Sequence, residues 1–432
     1  MIVTSAADPV ARTDLTTTLA PDLIEELRWR GMLHQHTPDL PERLARGPIA
    51  AYNGFDPTAD SLHVGHLVPV FGLLHLQRHG NRPIAVVGGG TGMIGDPSGR
   101  SAERNLLDAE TLARNVTGIG RQLEHFLDFT PGPSGAQLVN NLDWLGTYGL
   151  IQFLRDIGKH FTVPYMLAKD SVQVRLESGL SFTEFSYMLL QSADFLHLFR
   201  ESGVEMQTGG ADQWGNITAG LELIRRVESA DAFALSYPLL TDASGEKFGK
   251  TSGNTRVWLD PMRTSPYEFY QYWIDVPDQD VAKLLRTFTL FDRASIERLE
   301  AEQADTPEGR PAQRALAWDI TARVHGQEAA EVARRASEVR FAQQMPDREV
   351  LRVVAAQPDF VVARSVLASA IEFAVAAGIA SSNSEARRLI TQGGLRVNDE
   401  RVTDPAAPVP AAIDGAFFVR AGKKRLIGRV DE

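Results

Sequence analysis

The chain contains 432 residues, of which 43% are hydrophobic and 23% are charged, and it contains no cysteine. This composition predicts a globular protein of two or three domains and excludes a disulfide framework and thiolate chemistry. The formal net charge of −11 at pH 7 excludes a chain that is basic overall, so any contact with nucleic acid must be local. No apolar run is long enough to span a bilayer and no signal-peptide pattern opens the chain, so we expect a cytoplasmic protein with no membrane partner.

The basic residues are concentrated near the end of the sequence. Residues 364–432 carry a net charge of +2, whereas the rest of the chain carries −13. A charge asymmetry of this kind indicates a nucleic-acid-binding arm attached to an acidic body.

The first half of the chain alternates between predicted strands and helices. Residues 1–50 are predicted to form a helical lead-in, and the predicted strands that follow are Ala50–Tyr52, Arg82–Gly89, Val204–Thr208 and Leu235–Leu240. A helix over Val68–His79 joins the first two strands, which predicts a parallel unit. The ligand-binding crevice of such a sheet lies outside the carboxyl ends of its strands.

A glycine-rich turn follows the second predicted strand. Residues 90–95 match the dinucleotide pattern G-x-G-x-x-G, which would suggest a dehydrogenase. That pattern requires a helix that starts within the turn, and Pro97 breaks any such helix at once. A P-loop is also excluded, because no Lys-Ser/Thr pair follows the last glycine. We therefore do not expect nicotinamide binding.

Between the second and third strands the chain is predicted to be mostly helical. From Glu110 to about Phe161 this pattern is interrupted by a turn at Pro131–Gly135 and by the Asn140-Asn141 segment. A long helix with a broad apolar face is predicted over Phe182–Arg200.

The stretch from Tyr52 to His66 joins the first strand to the helix after it. His63 and His66 share one face of that helix, and Gly65 between them leaves the backbone open to a flat ring. Imidazole groups and free backbone N–H groups at a helix start favour a phosphate chain. Alternatively, the pair is half of a metal site, although no acidic ligand nearby completes a set, or it consists of two ordinary surface histidines.

The remaining predicted segments are a mobile loop and linker at 241–264, a helical domain at 265–345, a linker at 346–363 and a compact module at 364–432. The mobile loop contains Lys-Phe-Gly-Lys-Thr at residues 247–251, and Gly249 allows hinge-like motion. Pro346 and Pro358 indicate the linker. In the module, a capping box at Ser382 begins a helix, and two short strands follow it.

Several of these features, in this order, resemble the class I aminoacyl-tRNA synthetases. His-Val-Gly-His at residues 63–66 is similar to the first signature of that family, and residues 247–251 stand where its second, lysine-containing signature belongs. Tyr-Asn-Gly-Phe-Asp-Pro-Thr at residues 52–58 is similar to the tyrosyl type specifically. The resemblance extends over nearly the whole chain from about Leu23, and the C-terminal module resembles a small RNA-binding module shared with a ribosomal protein.

The resemblance implies an α/β fold whose Rossmann-like, parallel-sheet catalytic domain occupies residues 1–240 and carries an insertion at about 110–190. An α-helical domain on the anticodon side and a small α+β RNA-binding module would follow. It also implies a homodimer, with the insertion at the interface and with tRNA bridging the subunits.

The implied activity is that of a tyrosine–tRNA ligase. Such an enzyme forms tyrosyl-adenylate from L-tyrosine and ATP, with Mg²⁺ accompanying the nucleotide and no structural metal bound by the protein. It then transfers tyrosine to the 3′ end of tRNA(Tyr). Because the attacking carboxylate is already anionic, no catalytic base is needed, and positioning with electrostatic stabilisation can supply the rate.

The resemblance also implies the site residues. The phosphate-binding and mobile-loop residues would be Thr58, His63, His66, Arg100, Arg104, Lys247 and Lys250, and ATP would also contact Gly54, Asp56, Gly65 and Asp212. Tyrosine would be bound by Tyr52, Asp96, Tyr187, Gln191, Asp194 and Gln213, with Tyr52 and Asp194 on the substrate hydroxyl. The spacing of Tyr187, Gln191 and Asp194 at i, i+4 and i+7 independently places them on one helix face, although the solvated side of an amphipathic helix would look similar. Phosphates of tRNA would be bound by Arg387, Arg388, Arg396, Lys423, Lys424 and Arg425.

Two alternatives within this resemblance stay open. A tryptophanyl-type synthetase is disfavoured by Tyr52, by Asp194 and by the C-terminal module. An RNA-binding factor on an inactive synthetase scaffold would have lost the phosphate-binding residues, whereas both histidines and both lysines are present.

The chain departs from the family's usual pattern at Asn53, Pro69 and Arg100, which affects only the expected nucleotide contacts.

Overall fold

The computed structural model describes residues 22–98, 107–176, 179–241, 249, 255–339, 342, 344–422 and 424–431. These residues form two compact units. The first contains the described residues up to Thr264 together with Ile274–Leu316, and the second contains Ser265–Trp273 together with the described residues from Ala317 onward. No helix in these ranges is both long and apolar enough to cross a membrane.

The first unit is built on a six-stranded sheet. Its strands are β1 (Gln35–His36), β2 (Ala50–Phe55), β3 (Arg82–Val87), β4 (Gln137–Asn140), β5 (Val204–Gly210) and β6 (Phe233–Tyr237). They follow the order β1-β6-β5-β2-β3-β4, and neighbouring strands are parallel except for the antiparallel pair of β1 and β6. The predicted parallel sheet is therefore present, but the sequence did not predict the two edge strands β1 and β4.

Helices precede and connect these strands. They are α1 (Leu23–Trp29), α2 (Leu40–Ala45), α3 (Leu67–Arg78), α4 (Ala109–Glu124), α5 (Leu142–Leu145), α6 (Leu150–Asp156), α7 (Val163–Leu167), α8 (Asp170–Leu176), α9 (Phe182–Ser202) and α10 (Trp214–Glu228). Ser181 caps the start of the longest of them, α9, because its hydroxyl accepts a hydrogen bond from the backbone N–H of Glu184. Gly203 caps its end in the left-handed conformation with φ of 61°.

The strand order reverses at β2. This strand pairs with β3 on one side and with β5 on the other, and all three run in the same direction. The register brings Tyr52 of β2 beside Ile84 on β3 and Gln207 on β5. The connections that leave the carboxyl ends of β2 and β5 therefore diverge, which opens a crevice of the kind that binds ligands in α/β proteins.

The remaining helices are α11 (Pro266–Ile274), α12 (Asp278–Phe288), α13 (Arg293–Asp305), α14 (Pro311–His325), α15 (Gln327–Glu338), α16 (Arg348–Val354), α17 (Ala370–Ala376) and α18 (Asn383–Thr391). Of these, α12 and α13 belong to the first unit, and the boundary between the units falls within α14. The sequence predicts that residues 265–341 are helical and contain no strand. The described residues of that range contain none.

A five-stranded sheet organises the second unit. Its strands are β7 (Phe360–Ala363), β8 (Leu395–Val397), β9 (Glu400–Arg401), β10 (Ala416–Ala421) and β11 (Lys424–Asp431), in the order β7-β11-β10-β8-β9. Both faces of β10 are buried: Phe417 and Val419 pack in one apolar cluster with α17 and α18, and Ala416 and Phe418 pack in another with α15 and α16. The sequence predicted β8 and β9 with their turn but not the other three strands.

The sequence predicts a linker over residues 346–363, and the structure contradicts this, because α16 and β7 occupy most of the segment. Asp347 begins α16 by accepting a hydrogen bond from the backbone N–H of Val350 at 3.0 Å. Val350 and Leu351 are each only 1% exposed, and β7 pairs in parallel with β11. This segment is therefore part of the core of the second unit.

Candidate active site

A cavity of 360 Å³ lies at the carboxyl ends of β2 and β5 in the first unit. Every residue that the sequence assigns to tyrosine or ATP lines this cavity where the structure describes it: Tyr52, Gly54, Asp56, Thr58, His63, Gly65, His66, Asp96, Tyr187, Gln191, Asp194, Asp212 and Gln213. Arg100, Arg104, Lys247, Lys250 and Lys423 lie outside the described residues. A small-molecule site of this size is deep enough to enclose an amino acid or part of a nucleotide.

One end of the cavity contains a buried phenol and a buried carboxylate. Tyr52 is 2% exposed and Asp194 is 3% exposed. Burial raises the pKa of the Tyr52 hydroxyl well above its ordinary value, and the nearby charge of Asp194 raises it further. Among the residues that the structure describes, the Tyr52 hydroxyl has no hydrogen-bond partner. A buried hydroxyl without a partner is costly, so its position in a ligand cavity indicates that a ligand completes its bonding.

Two residues that the sequence did not assign to the site hold Asp194 in place. Asn141 donates from Nδ2 to Oδ2 of Asp194 at 2.9 Å, and Trp144 donates from Nε1 to Oδ1 at 2.7 Å. Burial raises the pKa of Asp194 to about 8; these two hydrogen bonds oppose the rise, and the charge of Asp56 adds to it. The only sequence feature that pointed to Asn141 and Trp144 was the Asn140-Asn141 segment at the end of β4, a strand that the sequence did not predict.

Two further carboxylates, those of Asp96 and Asp56, line the cavity. Gln213 donates from Nε2 to Oδ2 of Asp96 at 2.6 Å. Tyr187 donates to Oδ2 of Asp56 at 2.9 Å, and the Thr91 hydroxyl donates to Oδ1 of the same carboxylate at 2.8 Å. Asp56, which the sequence assigns to ATP, is thus bonded directly to a residue that the sequence assigns to tyrosine. This anionic region suits a positively charged group of the ligand.

Tyr187, Gln191 and Asp194 reach the cavity together from α9, as the helical spacing predicts. The carbonyl oxygen of the Gln191 side chain is buried and has no hydrogen-bond partner among the described residues. It is a second buried polar atom that a ligand donor would satisfy.

The two histidines form another part of the cavity wall. The sequence predicts that they lie in the first turn of an α-helix, but residues Val64–His66 form a 3₁₀ turn that His63 caps before α3 begins. Nδ1 of His63 accepts from the backbone N–H of Gly65, and Nδ1 of His66 accepts from the backbone N–H of His63, each at 3.1 Å. The two rings stack with their centroids 3.9 Å apart.

Both histidines therefore present an Nε2–H donor when they are neutral. Burial and, to a smaller extent, the charge of Arg256 together lower the pKa of His63 to about 4. Since Nδ1 of each ring already accepts a hydrogen bond, the proton of the neutral ring is on Nε2. The pair can thus donate to anionic oxygens without adding charge.

The segment that follows residues 247–251 is hydrogen-bonded to the histidine turn, which consists of residues 63–66. Val64 donates its backbone N–H to Val257 at 3.0 Å, and Val257 donates to Gly249 at 3.2 Å. Gly249 has a φ of 109°, and a Cβ at this position would lie 3.2 Å from the backbone nitrogen of Gly65. The middle of residues 247–251 therefore lies directly beside the histidine turn.

Asn53 and Pro69, two positions where the chain departs from the family's usual pattern, also line the cavity. The Asn53 side chain is 3% exposed and is bonded within the protein: Nδ2 donates to the carbonyl of Gly54 at 2.9 Å, and Oδ1 accepts from Thr208 at 3.2 Å. Arg256 is a further cavity residue that the sequence did not single out.

Comparison with known proteins identifies the family. The profile "tRNA synthetases class I (W and Y)" matches residues 44–342, and the "S4 domain" profile matches residues 372–411. Over 412 residues the chain is 52% identical to the tyrosine–tRNA ligase of Anaeromyxobacter dehalogenans, which covers 93% of this chain and 98% of that protein. The chain belongs to the tyrosine–tRNA ligase family. The predicted family and the predicted enzyme class, an aminoacyl-tRNA ligase, are confirmed.

Other members of the tyrosine–tRNA ligase family agree with this assignment. The ligase of Porphyromonas gingivalis is 51% identical over 423 residues. The crystal structure of a C-terminally truncated mitochondrial tyrosyl-tRNA synthetase from Coccidioides posadasii matches with a TM-score of 0.65 and 32% identity, covering 73% of this chain and 91% of that one. These matches confirm the predicted fold class: a Rossmann-like α/β catalytic domain, helical content and a small C-terminal RNA-binding module.

The residues that the sequence assigns to tRNA lie in the second unit, in the region of the family's S4 domain or just after it. Arg387 and Arg388 on α18, Arg396 on β8 and Lys424 on β11 are exposed. Arg425 is half-buried instead, and its Nε donates to the carbonyl of Ala342 at 3.0 Å. This guanidinium is therefore already bonded within the unit.

Proposed function

We propose that this chain activates L-tyrosine with ATP in the cavity described above, forming tyrosyl-adenylate and releasing pyrophosphate. It then transfers tyrosine to the 3′ end of tRNA(Tyr) in the cytoplasm. The observation that carries this proposal is the buried pair of Tyr52 and Asp194 at one end of the cavity, with the Tyr52 hydroxyl lacking a partner among the described residues.

A phenolic substrate satisfies this pair in a way that its closest competitors do not. The substrate hydroxyl would accept from Tyr52 and donate to Asp194, so both buried polar groups would be paired. Phenylalanine would leave the buried Tyr52 hydroxyl unpaired, which costs about 1–3 kcal/mol, and would give Asp194 no hydrogen bond beyond those from Asn141 and Trp144. The indole of tryptophan carries its N–H at a different place on a larger ring and would not fit the same two groups.

This orientation of the phenol also determines where the other groups of the amino acid would lie. Its ammonium group would lie among Asp96, Tyr187 and Gln191, where the unpaired Gln191 oxygen can accept an N–H. Its carboxylate would lie near Gln213 and point toward the histidine end. In this pose the reactive carboxylate and the nucleotide meet between the tyrosine pocket and the histidine turn.

The histidine end supplies donors for the phosphates of ATP. Attack of the carboxylate on the α-phosphorus transfers charge to the pyrophosphate that leaves, so fixed donors on the phosphate oxygens lower the barrier. Thr58, His63 and His66 would supply such donors. Lys247 and Lys250 would add positive charge, as would Arg100 and Arg104, and the proximity of Gly249 to the histidine turn supports a role for that lysine-containing stretch.

Mg²⁺ would enter with the nucleotide. Among the described residues there is no group of three or more His, Cys, Asp or Glu side chains arranged to hold a metal ion. In nucleotide sites Mg²⁺ is usually bound mainly by phosphate oxygens and water, and there it neutralises phosphate charge.

We also propose that the chain forms a homodimer through its insertion. Large apolar side chains between residues 142 and 182 of the first unit are exposed, with exposed fractions from 37% to 78%: Leu142, Leu150, Ile151, Leu154, Val163, Val174, Leu176 and Phe182. Such a concentration of exposed apolar side chains is unusual for a monomer. It supports a second copy of this chain as the partner that covers them.

The test of the proposed activity is ATP–pyrophosphate exchange with tyrosine, phenylalanine and tryptophan as parallel substrates. Exchange with tyrosine alone is expected. Strong exchange with tryptophan would overturn the assignment of Tyr52 and Asp194. Folded protein that exchanges with none of the three but binds tRNA would indicate an RNA-binding factor on an inactive scaffold.

A further inference from the structure

The loop of residues 57–62 connects β2 to the histidine turn and carries Thr58. It has no regular secondary structure, yet two residues that it positions, Thr58 and His63, line the cavity. The loop must therefore be held from outside, and one face of α4 provides contacts along most of its length.

Three residues of α4 form this face. Asn115, Gly118 and Gln122 are spaced at i, i+3 and i+7, so they lie on one side of the helix over two turns. Asn115 is 5% exposed and donates from Nδ2 to the carbonyl of Pro57 at 2.9 Å. This bond fixes the start of the loop immediately before Thr58.

Gly118 allows the middle of the loop to approach the helix backbone. A Cβ at this position would lie 2.0 Å from the carbonyl oxygen of Asp60, which is impossible without a shift of the loop. Glycine is unfavourable inside a helix, so its presence within α4 is explained by this close approach.

Gln122 holds the last two residues of the loop through both the oxygen and the nitrogen of its side-chain amide. Its Oε1 accepts from the backbone N–H of Leu62 at 2.7 Å, and its Nε2 donates to the Ser61 hydroxyl at 3.0 Å. The same hydroxyl, which is on a side chain only 1% exposed, accepts from the backbone N–H of Asp260 at 3.1 Å. His63 follows Leu62 directly, so Gln122 acts one residue away from a phosphate-binding side chain.

The loop also contacts the segment that follows residues 247–251. Arg263 forms an ion pair with Asp60 at 2.5 Å, and Leu259 donates its backbone N–H to the carbonyl of Leu62 at 2.9 Å. The loop thus lies between α4 on one side and the segment of residues 257–263 on the other, and Ser61 is bonded to both.

We propose that Gln122 and Asn115 are positioning residues for the adenylation step. They hold the loop of residues 57–62 so that Thr58 and His63 stay aligned with the phosphates of ATP. This inference rests on the proposed assignment of those two side chains to the nucleotide. Neither Gln122 nor Asn115 lines the cavity, so their effect is exerted through the loop.

The decisive variant is Gln122→Ala in the full-length protein, compared with Gln122→Glu. Alanine leaves the Leu62 N–H without its acceptor, whereas a glutamate keeps that acceptor and loses only the bond to the Ser61 hydroxyl, which donates its own hydrogen to the Leu62 carbonyl at 2.7 Å. Arg121→Ala, an exposed position on the same helix, is the matched control. Tyrosine-dependent ATP–pyrophosphate exchange is measured for each protein, with Thr58→Ala alongside.

We expect Gln122→Ala to lower kcat/KM for ATP by about tenfold, because small misplacements of binding groups have large effects on rate. The KM for tyrosine should stay within about twofold, since none of the residues assigned to tyrosine lies in the loop of residues 57–62. Gln122→Glu should restore most of the loss, and Arg121→Ala should resemble the wild type.

Two results would overturn the positioning role: an unchanged kcat/KM for ATP in Gln122→Ala, or a parallel rise of both KM values that Gln122→Glu does not restore. If Thr58→Ala leaves the ATP parameters unchanged, the nucleotide assignment fails and the inference fails with it. A failure of the proposed function is recognised separately, because the wild-type protein would then show no tyrosine-dependent exchange.

Discussion

Trp144 donates a hydrogen bond from Nε1 to Oδ1 of Asp194, with 2.7 Å between the two atoms. Asn141 occupies the other carboxylate oxygen at 2.9 Å. Both donors come from the segment that follows β4, so the orientation of the Asp194 carboxylate is set before any substrate arrives. The Asp194 carboxyl group is therefore preorganised, which supports its proposed role in binding the substrate hydroxyl.

Trp144→Phe tests this preorganisation. The variant removes the Nε1–H donor but keeps an aromatic ring where the indole stacks on His197. We expect the KM for tyrosine to rise about tenfold, which corresponds to the loss of one buried hydrogen bond to the Asp194 carboxyl group. The KM for ATP should not change. Steady-state exchange kinetics measure both, and an equal rise in the two values would contradict a specific effect on Asp194.

Tyr52→Phe tests the role of the unpaired phenol. Because its hydroxyl has no partner among the described residues, its removal should not lower the melting temperature of the free protein. The preference for tyrosine over phenylalanine in exchange should fall by about tenfold, since one of the two groups that recognise the substrate hydroxyl is lost. An unchanged preference would show that Asp194 alone discriminates.

Asp194 makes stability depend on pH in a defined direction. Burial raises its pKa to about 8, whereas the unfolded chain releases this proton near 3.8. Between these values the native state binds more protons than the unfolded state, so this group's contribution is fully present at low pH and is lost as the pH rises toward 8. The free energy of unfolding of the wild type, relative to Asp194→Asn, should fall by at most about 1.4 kcal/mol per pH unit. Denaturant unfolding of the substrate-free proteins from pH 5 to pH 8 measures this, and two parallel curves would refute it.

A buried ion pair connects α8 to the start of α9. Arg175 and Glu184 are 2.8 Å apart, with side chains 2% and 1% exposed. Arg175→Met should destabilise the protein by about 3–5 kcal/mol, because it leaves the Glu184 carboxylate buried without its cation. The double variant Arg175→Met/Glu184→Leu should recover much of this loss. Thermal unfolding measures all three proteins, and a double variant less stable than the single one would contradict the argument.

The proposed dimer is tested by matched substitutions at exposed valines. Val163 lies in the insertion and is 60% exposed, and Val361 lies in the second unit and is 47% exposed. Val163→Glu should shift the protein from dimer to monomer in sedimentation velocity experiments, because an interface would have to bury the new charge. Val361→Glu should leave the sedimentation coefficient unchanged. A dimer that persists in Val163→Glu would place the interface elsewhere.

The sequence predicted the central parallel strands and the long helix because their apolar patterns are local and strong. It missed β4, since four residues, Gln137–Asn140, carry too little pattern to reveal a strand whose pairing with β3 is long-range. Asn141 and Trp144 were missed for the same reason, because only the pairing of β4 brings them to Asp194. The prolines at 346 and 358 suggested a linker, although Asp347 is a local helix-start signal that could have revealed α16.

The burial of both faces of β10 constrains how the C-terminal module can recognise RNA. Some RNA-binding domains use an open sheet as a platform, on which exposed aromatic side chains stack against unpaired bases. Phe417 and Phe418 point in opposite directions into two separate apolar cores, so neither is accessible for such stacking. We therefore expect this module to recognise RNA through the exposed cations proposed above on α18, β8 and β11, which would favour reading the shape of a folded RNA over stacking on its bases.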